Sequence, residues 1–92
     1  ISWGENIYPV EVENVLYQHA NVTDVAVVGE ESEEWGEIVT ASVVTSGSVT
    51  EADLEQYCKE SDELANFKRP KRYEFVPNLP KNPSGKILKH RI

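Results

Sequence analysis

The sequence predicts a small α+β domain in which helices pack on a short sheet of about three strands. Three observations carry this. Apolar residues recur at helical spacing in two segments, with valine-rich, β-branched runs that mark two strands between them and a third strand-like stretch bounded by prolines after them. The 92 residues suffice for one core and no more.

Residues 2–7 read as a loop. Pro9 suits the first turn of a helix, where its missing N–H costs nothing. Val12, Val15, Leu16 and His19 follow at i, i+3, i+4 and i+7, one helix face over about residues 9–19. Glu11 and Glu13 lie near its start, where the helix dipole favours them. Asn21 ends it. Val22 to Gly29 reads as a strand, Glu30 to Glu37 as an acidic connection, and Ile38 to Val44 as a second strand. Thr50 and Asp53 have the spacing of a capping box for a second helix running to about residues 59–61. Its inner face carries Leu54, Tyr57, Cys58 and Ser61, which places Cys58 in the core. Lys71 to Val76 reads as a third strand, punctuated by Pro70 and Pro77. Residues 77–85 form a turn-rich loop, and Lys86 to Ile92 begins a last helix.

Composition is that of a globular protein, 39% hydrophobic and 27% charged. No apolar run approaches the ~20 residues that cross a membrane, and no basic-then-apolar leader opens the chain. Cys58 is the single cysteine and cannot form an internal disulfide, so a cytoplasmic location is expected. The chain contains no methionine and opens on Ile1, as expected of a piece of a longer protein. Charge is strongly segregated. Residues 1–65 carry fifteen acidic groups and one basic group, a net −14, whereas residues 66–92 carry eight basic groups and one acidic, a net +7. Such asymmetry fits either an anionic partner for the C-terminal third or a basic tail that neutralises an acidic body.

Gly85-Lys86 invites comparison with a phosphate-binding P-loop, but Pro80 and Ile87 stand where that motif needs Gly and Ser/Thr. The alternative is a lysine presented by a loop that Pro83 and Gly85 bend, from which an ammonium reaches another domain's active site and stabilises developing negative charge. An ordinary surface lysine at a helix start has the same spacing. Phe67-Lys68-Arg69-Pro70-Lys71-Arg72 sets four cations beside an aromatic ring, suiting a nucleotide phosphate or a solvated strand edge. Nucleic acid fits less well, because the acidic body repels a long polyanion. Trp35 could stack on an adenine or pack in the core. His19 and His90 lack partners at metal-ligand spacing, so no metal site is expected. No Ser/His/Asp arrangement stands out.

Two segments together resemble a known family. Gly4-Glu5-Asn6-Ile7-Tyr8-Pro9-Val10-Glu11-Val12-Glu13 and Leu79-Pro80-Lys81-Asn82-Pro83-Ser84-Gly85-Lys86-Ile87-Leu88-Lys89 are similar to the two signature motifs of the C-terminal domain of the adenylate-forming superfamily. That family holds acyl- and aryl-CoA synthetases, peptide-synthetase adenylation domains and firefly luciferases. Val25-Ala26-Val27-Val28-Gly29, Glu34-Trp35-Gly36-Glu37 and residues 67–73 resemble it in the right order, so the likeness spans essentially the whole chain.

The resemblance implies a fold, a reaction and a division of labour. Residues 1–92 form the C-terminal lid domain of an AMP-forming acid–thiol ligase whose N-terminal adenylation domain and hinge lie outside this sequence; alone the fragment is expected to be inactive. ATP and a carboxylate give an acyl-adenylate and pyrophosphate; CoA then displaces AMP to give the thioester. Lys86 matches the family's catalytic adenylation lysine. The Gly4-Glu5-Asn6 loop matches the lining of the thiol tunnel, where Gly4 presents no Cβ to the pantetheine chain. Trp35, Phe67, Arg69 and Lys71 resemble positions that hold the CoA nucleotide. Mg2+ is expected outside this fragment. Trp3 departs from the pattern, standing where many members have a second glycine. Loading of a carrier protein instead of CoA, and a free-standing nucleotide- or RNA-binding module, are the alternative functions.

Overall fold

The computed structural model describes residues 9–33, 36–65 and 68–92. Helix α1 (Pro9–Tyr17) is followed by strands β1 (Val22–Ser32) and β2 (Gly36–Thr45), helix α2 (Glu51–Glu60) and strand β3 (Arg72–Phe75). The sheet order is β1-β2-β3, with β1 and β2 antiparallel and β2 and β3 parallel. The parallel pair needs a crossover, which α2 supplies. This is the expected three-stranded α+β domain.

Both helices cover one face of the sheet. Alternation along the strands puts Val25, Val27, Val39, Ala41, Val43 and Tyr73 on that face, against Val12, Val15 and Leu16 of α1 and Leu54 and Cys58 of α2. Val22 joins them although it is three residues from Val25. A bulge between Val22 and Asp24 accommodates the odd spacing, and the Thr23 hydroxyl bonds the Val44 carbonyl at 2.9 Å. The other face carries Ala26, Thr40 and Ser42, all buried. Ile92 shares a cleft of about 280 Å³ with Val28, Thr40, Ser42 and Glu74 there.

Helix α2 starts as read. Thr50 accepts from the Asp53 N–H and Asp53 accepts from the Thr50 N–H, a reciprocal cap. The Thr50 amide also holds the Asp53 carboxyl below its ordinary pKa. Cys58 is fully buried, and burial pushes its thiol up. The structure differs from the sequence reading at two places. Glu30 to Glu37 is not a plain connection: Glu30 and Glu31 pair with Ile38 and Glu37, so the ladder runs on to Ser32–Gly36. Extending both strands satisfies backbone groups that a loop would leave to water. The second difference is at the C-terminal end. No helix begins at Lys86; Lys81 and Ile87 form an antiparallel bridge, and Lys89–Arg91 make a single 3-10 turn. The Leu88 N–H, which an α-helix would direct four residues back, bonds the Pro80 carbonyl instead.

Candidate functional site

Lys86 closes a hairpin loop of unusually well-bonded backbone. The Gly85 N–H bonds the Asn82 carbonyl at 2.9 Å, closing a tight turn with Asn82 first, Pro83 second and Gly85 fourth, the residues such a turn favours. Gly85 has φ +87°, a left-handed conformation costly for a residue with a Cβ. The Asn82 side-chain oxygen accepts from the Ser84 N–H at 3.0 Å and the Lys86 N–H at 2.9 Å. The Asn82 N–H donates to the Lys86 carbonyl at 2.9 Å. The Lys86 side chain is exposed, and among the described residues no hydrogen bond or ion pair engages its ammonium.

Two ion pairs staple this hairpin to the domain. Lys81 Nζ lies 2.7 Å from Asp24 Oδ2 of β1, and Lys89 Nζ lies 2.7 Å from Glu13 Oε2 of α1. Glu13 Oε2 also accepts the Val27 N–H at 2.8 Å, occupying an amide on the edge strand β1. The hairpin is therefore tied to the β1 side of the sheet.

The basic cluster lies elsewhere and is largely neutralised. Lys68 pairs with Glu11 at 2.8 Å, and Arg69 Nη1 with Glu55 Oε2 of α2 at 2.9 Å. Arg72 pairs with Glu30 at 2.6 Å, and more loosely with Glu74 at 3.8 Å. Glu55 has a second duty, since the Tyr73 hydroxyl donates to its Oε1 at 3.1 Å. Tyr73 also lies 3.6 Å from Cys58 Sγ. Burial first, then the neighbouring Cys58 and Glu55, push the Tyr73 phenol far above its ordinary pKa, so it stays a donor. Lys71 is exposed, and its N–H bonds the Val39 carbonyl at 2.9 Å at the entrance to β3.

Of the residues singled out in the sequence, Lys86, Arg69 and Lys71 are described. They stand on different anchors: the hairpin that carries Lys86 is pinned by Lys81–Asp24 and Lys89–Glu13, whereas Arg69 pairs with Glu55 of α2 and the Lys71 N–H bonds the Val39 carbonyl at the entrance to β3. Gly4, Glu5, Asn6, Trp35 and Phe67 lie outside the described residues. Asn82 and Glu55 were missed by sequence reasoning. Asn-Pro-Ser-Gly is a recognisable turn code that could have revealed the first; nothing local marks the second.

The family model of the AMP-binding enzyme C-terminal domain matches residues 11–86, so the matched span ends on Lys86. This chain belongs to that family. The AMP-binding C-terminal domain is 45% identical over 92 residues to a 2-succinylbenzoate–CoA ligase of Bacillus licheniformis, covering 100% of this chain and 19% of that enzyme. It is 45% identical over 89 residues to a fatty acid–acyl-carrier-protein ligase of Streptomyces coeruleorubidus, covering 97% and 17% respectively. It superposes on a Mycobacterium tuberculosis fatty acyl CoA synthetase with a TM-score of 0.89 at 44% identity, covering 99% of this chain and 18% of that one. The domain thus spans less than a fifth of the relatives it matches.

Proposed function

We propose that this domain is the C-terminal lid of an AMP-forming acyl- or aryl-CoA ligase, and that Lys86 serves the adenylation half-reaction. The observation carrying the proposal is the Lys86 hairpin: an exposed ammonium, unpaired among the described residues, on a loop whose backbone is bonded at both of the lysine's own peptide groups. In that role the ammonium sits between the substrate carboxylate and the α-phosphate of ATP, where negative charge develops as the acyl–phosphate bond forms and pyrophosphate leaves. A preformed loop lets a long side chain act with little reorganisation. The chain's own N-terminal adenylation domain, its partner in this reading, supplies the rest of the site, including the Mg2+ site.

For the thioester half-reaction the Gly4-Glu5-Asn6 loop lines the thiol's path, and Arg69 and Lys71, with Trp35 and Phe67, hold the CoA nucleotide. The Lys86 hairpin and the residue 68–72 segment are held by different carboxylates, Asp24 and Glu13 against Glu11, Glu55 and Glu30, which supports a domain whose two segments serve different halves of the reaction. Carrier-protein loading is the second reading. The Streptomyces coeruleorubidus relative is named for that acceptor, and the carboxylate partners of Lys68, Arg69 and Arg72 weaken the basic cluster as an argument for a CoA phosphate.

The test is Lys86→Ala in the full-length enzyme. Adenylation, followed by pyrophosphate release, should fall by roughly 10²–10³, the usual loss for one charge-stabilising donor. Thioester formation from supplied acyl-adenylate should persist. Equal loss in both halves would refute the assignment.

A further inference from the structure

We propose that Asn82 is the positioning residue of Lys86, acting on the backbone of the lysine and on nothing the substrate touches. The inference rests on the adenylation role assigned above to Lys86. Asn82 supplies four hydrogen bonds inside a five-residue loop: its side-chain oxygen takes the N–H groups of Ser84 and Lys86, its N–H meets the Lys86 carbonyl, and its own carbonyl takes the Gly85 N–H. Both peptide groups flanking the Lys86 Cα are thereby held by one residue. The direction in which the side chain leaves the loop is fixed before any substrate arrives, while the ammonium stays uncommitted. The Lys81–Asp24 and Lys89–Glu13 pairs hold the base of the hairpin, and Asn82 holds its tip.

The acceptor oxygen is the part of Asn82 a substitution can remove without touching its backbone bonds. Threonine retains a neutral acceptor that closes such turns more weakly, and alanine retains none. In the full-length enzyme, Asn82→Ala should therefore lower the adenylation kcat by about 10- to 100-fold, the scale of a small misplacement of a catalytic group. KM for ATP should change little, and thioester formation from supplied acyl-adenylate should be preserved, which also shows that the variant is folded. Asn82→Thr should fall between parent and Asn82→Ala. In a Lys86→Ala background Asn82→Ala should cost nothing further, because it acts through the missing side chain.

Adenylation by Asn82→Ala at the parental rate would overturn the inference. So would an equal fall in both half-reactions, an Asn82→Thr variant no better than Asn82→Ala, or a loss that persists undiminished without Lys86. Parental adenylation by Lys86→Ala itself would overturn the role of the lysine, and this inference with it. An inactive Lys86→Ala beside a fully active Asn82→Ala removes the positioning role alone.

Discussion

The Lys86 hairpin and the residue 68–72 segment look alike in the sequence, since each is a proline-bent, cationic stretch in the basic third of the chain. The fold separates them. Lys68, Arg69 and Arg72 are met by Glu11, Glu55 and Glu30, carboxylates from α1, α2 and β1. Lys86 meets none among the described residues, and its own peptide groups are held by Asn82. A dense cluster of cations is thus weak evidence for an anion site when acidic side chains lie within reach. A single lysine on a hydrogen-bonded turn is stronger evidence, because its charge is left for a ligand and its direction is already set.

Stability and activity should divide along this line. Glu55→Gln weakens the charge-assisted bond from Arg69 and the bond from the buried Tyr73 hydroxyl. It should cost about 1–3 kcal/mol in urea unfolding, the scale for hydrogen bonds to charged groups. Lys86→Ala should stay within about 0.5 kcal/mol of the parent, as exposed substitutions usually do. A Lys86→Ala variant as unstable as Glu55→Gln would erase the contrast.

A smaller effect is expected at Gly85. Gly85→Ala should cost about 1–2 kcal/mol through the positive φ alone, since the added Cβ would meet nothing within 4 Å. Gly85→Asn should recover part of that loss, because the short polar side chain of asparagine tolerates the left-handed region better than alanine does. A neutral Gly85→Ala would mean that the turn relaxes, and the picture of a preset lysine would fail with it.

Beneath the basic segment, Cys58 should resist alkylation at pH 8 until the domain unfolds, because burial raises its pKa and screens it. Rapid labelling of the native protein would show that the Arg69–Glu55–Tyr73 side is loosely packed.

The smallest effect is a titration. The hydrogen bond to Asp24 raises the Lys81 pKa. A cation with a raised folded-state pKa contributes stability below lysine's ordinary value of about 10.4, and that contribution is lost as pH rises through the folded-state value. Thermal unfolding of Asp24→Asn and the parent should therefore differ at neutral pH and converge at high pH. A constant difference would remove the staple from the account of the hairpin.

The sequence by itself determined the elements whose causes are local. Apolar spacing marked α1 and α2, the Thr50–Asp53 cap marked where α2 begins, valine-rich and β-branched runs marked β1 and β2, and the stretch between Pro70 and Pro77 marked β3. It also pointed to Lys86, through its setting of proline and glycine and through a family resemblance. Its turn was equally local: residues 77–85 read as a turn-rich loop bent by Pro83 and Gly85, but the helix expected to begin at Lys86 did not form, and the side-chain oxygen of Asn82 was overlooked. What only the tertiary structure decided is which cations are already neutralised. Lys68 and Glu11 stand far apart along the chain, as do Lys81 and Asp24, and no short sequence window contains either pair. Coulombic pairing depends on distance through space, and that distance exists only once the sheet has brought the acidic body and the basic tail together.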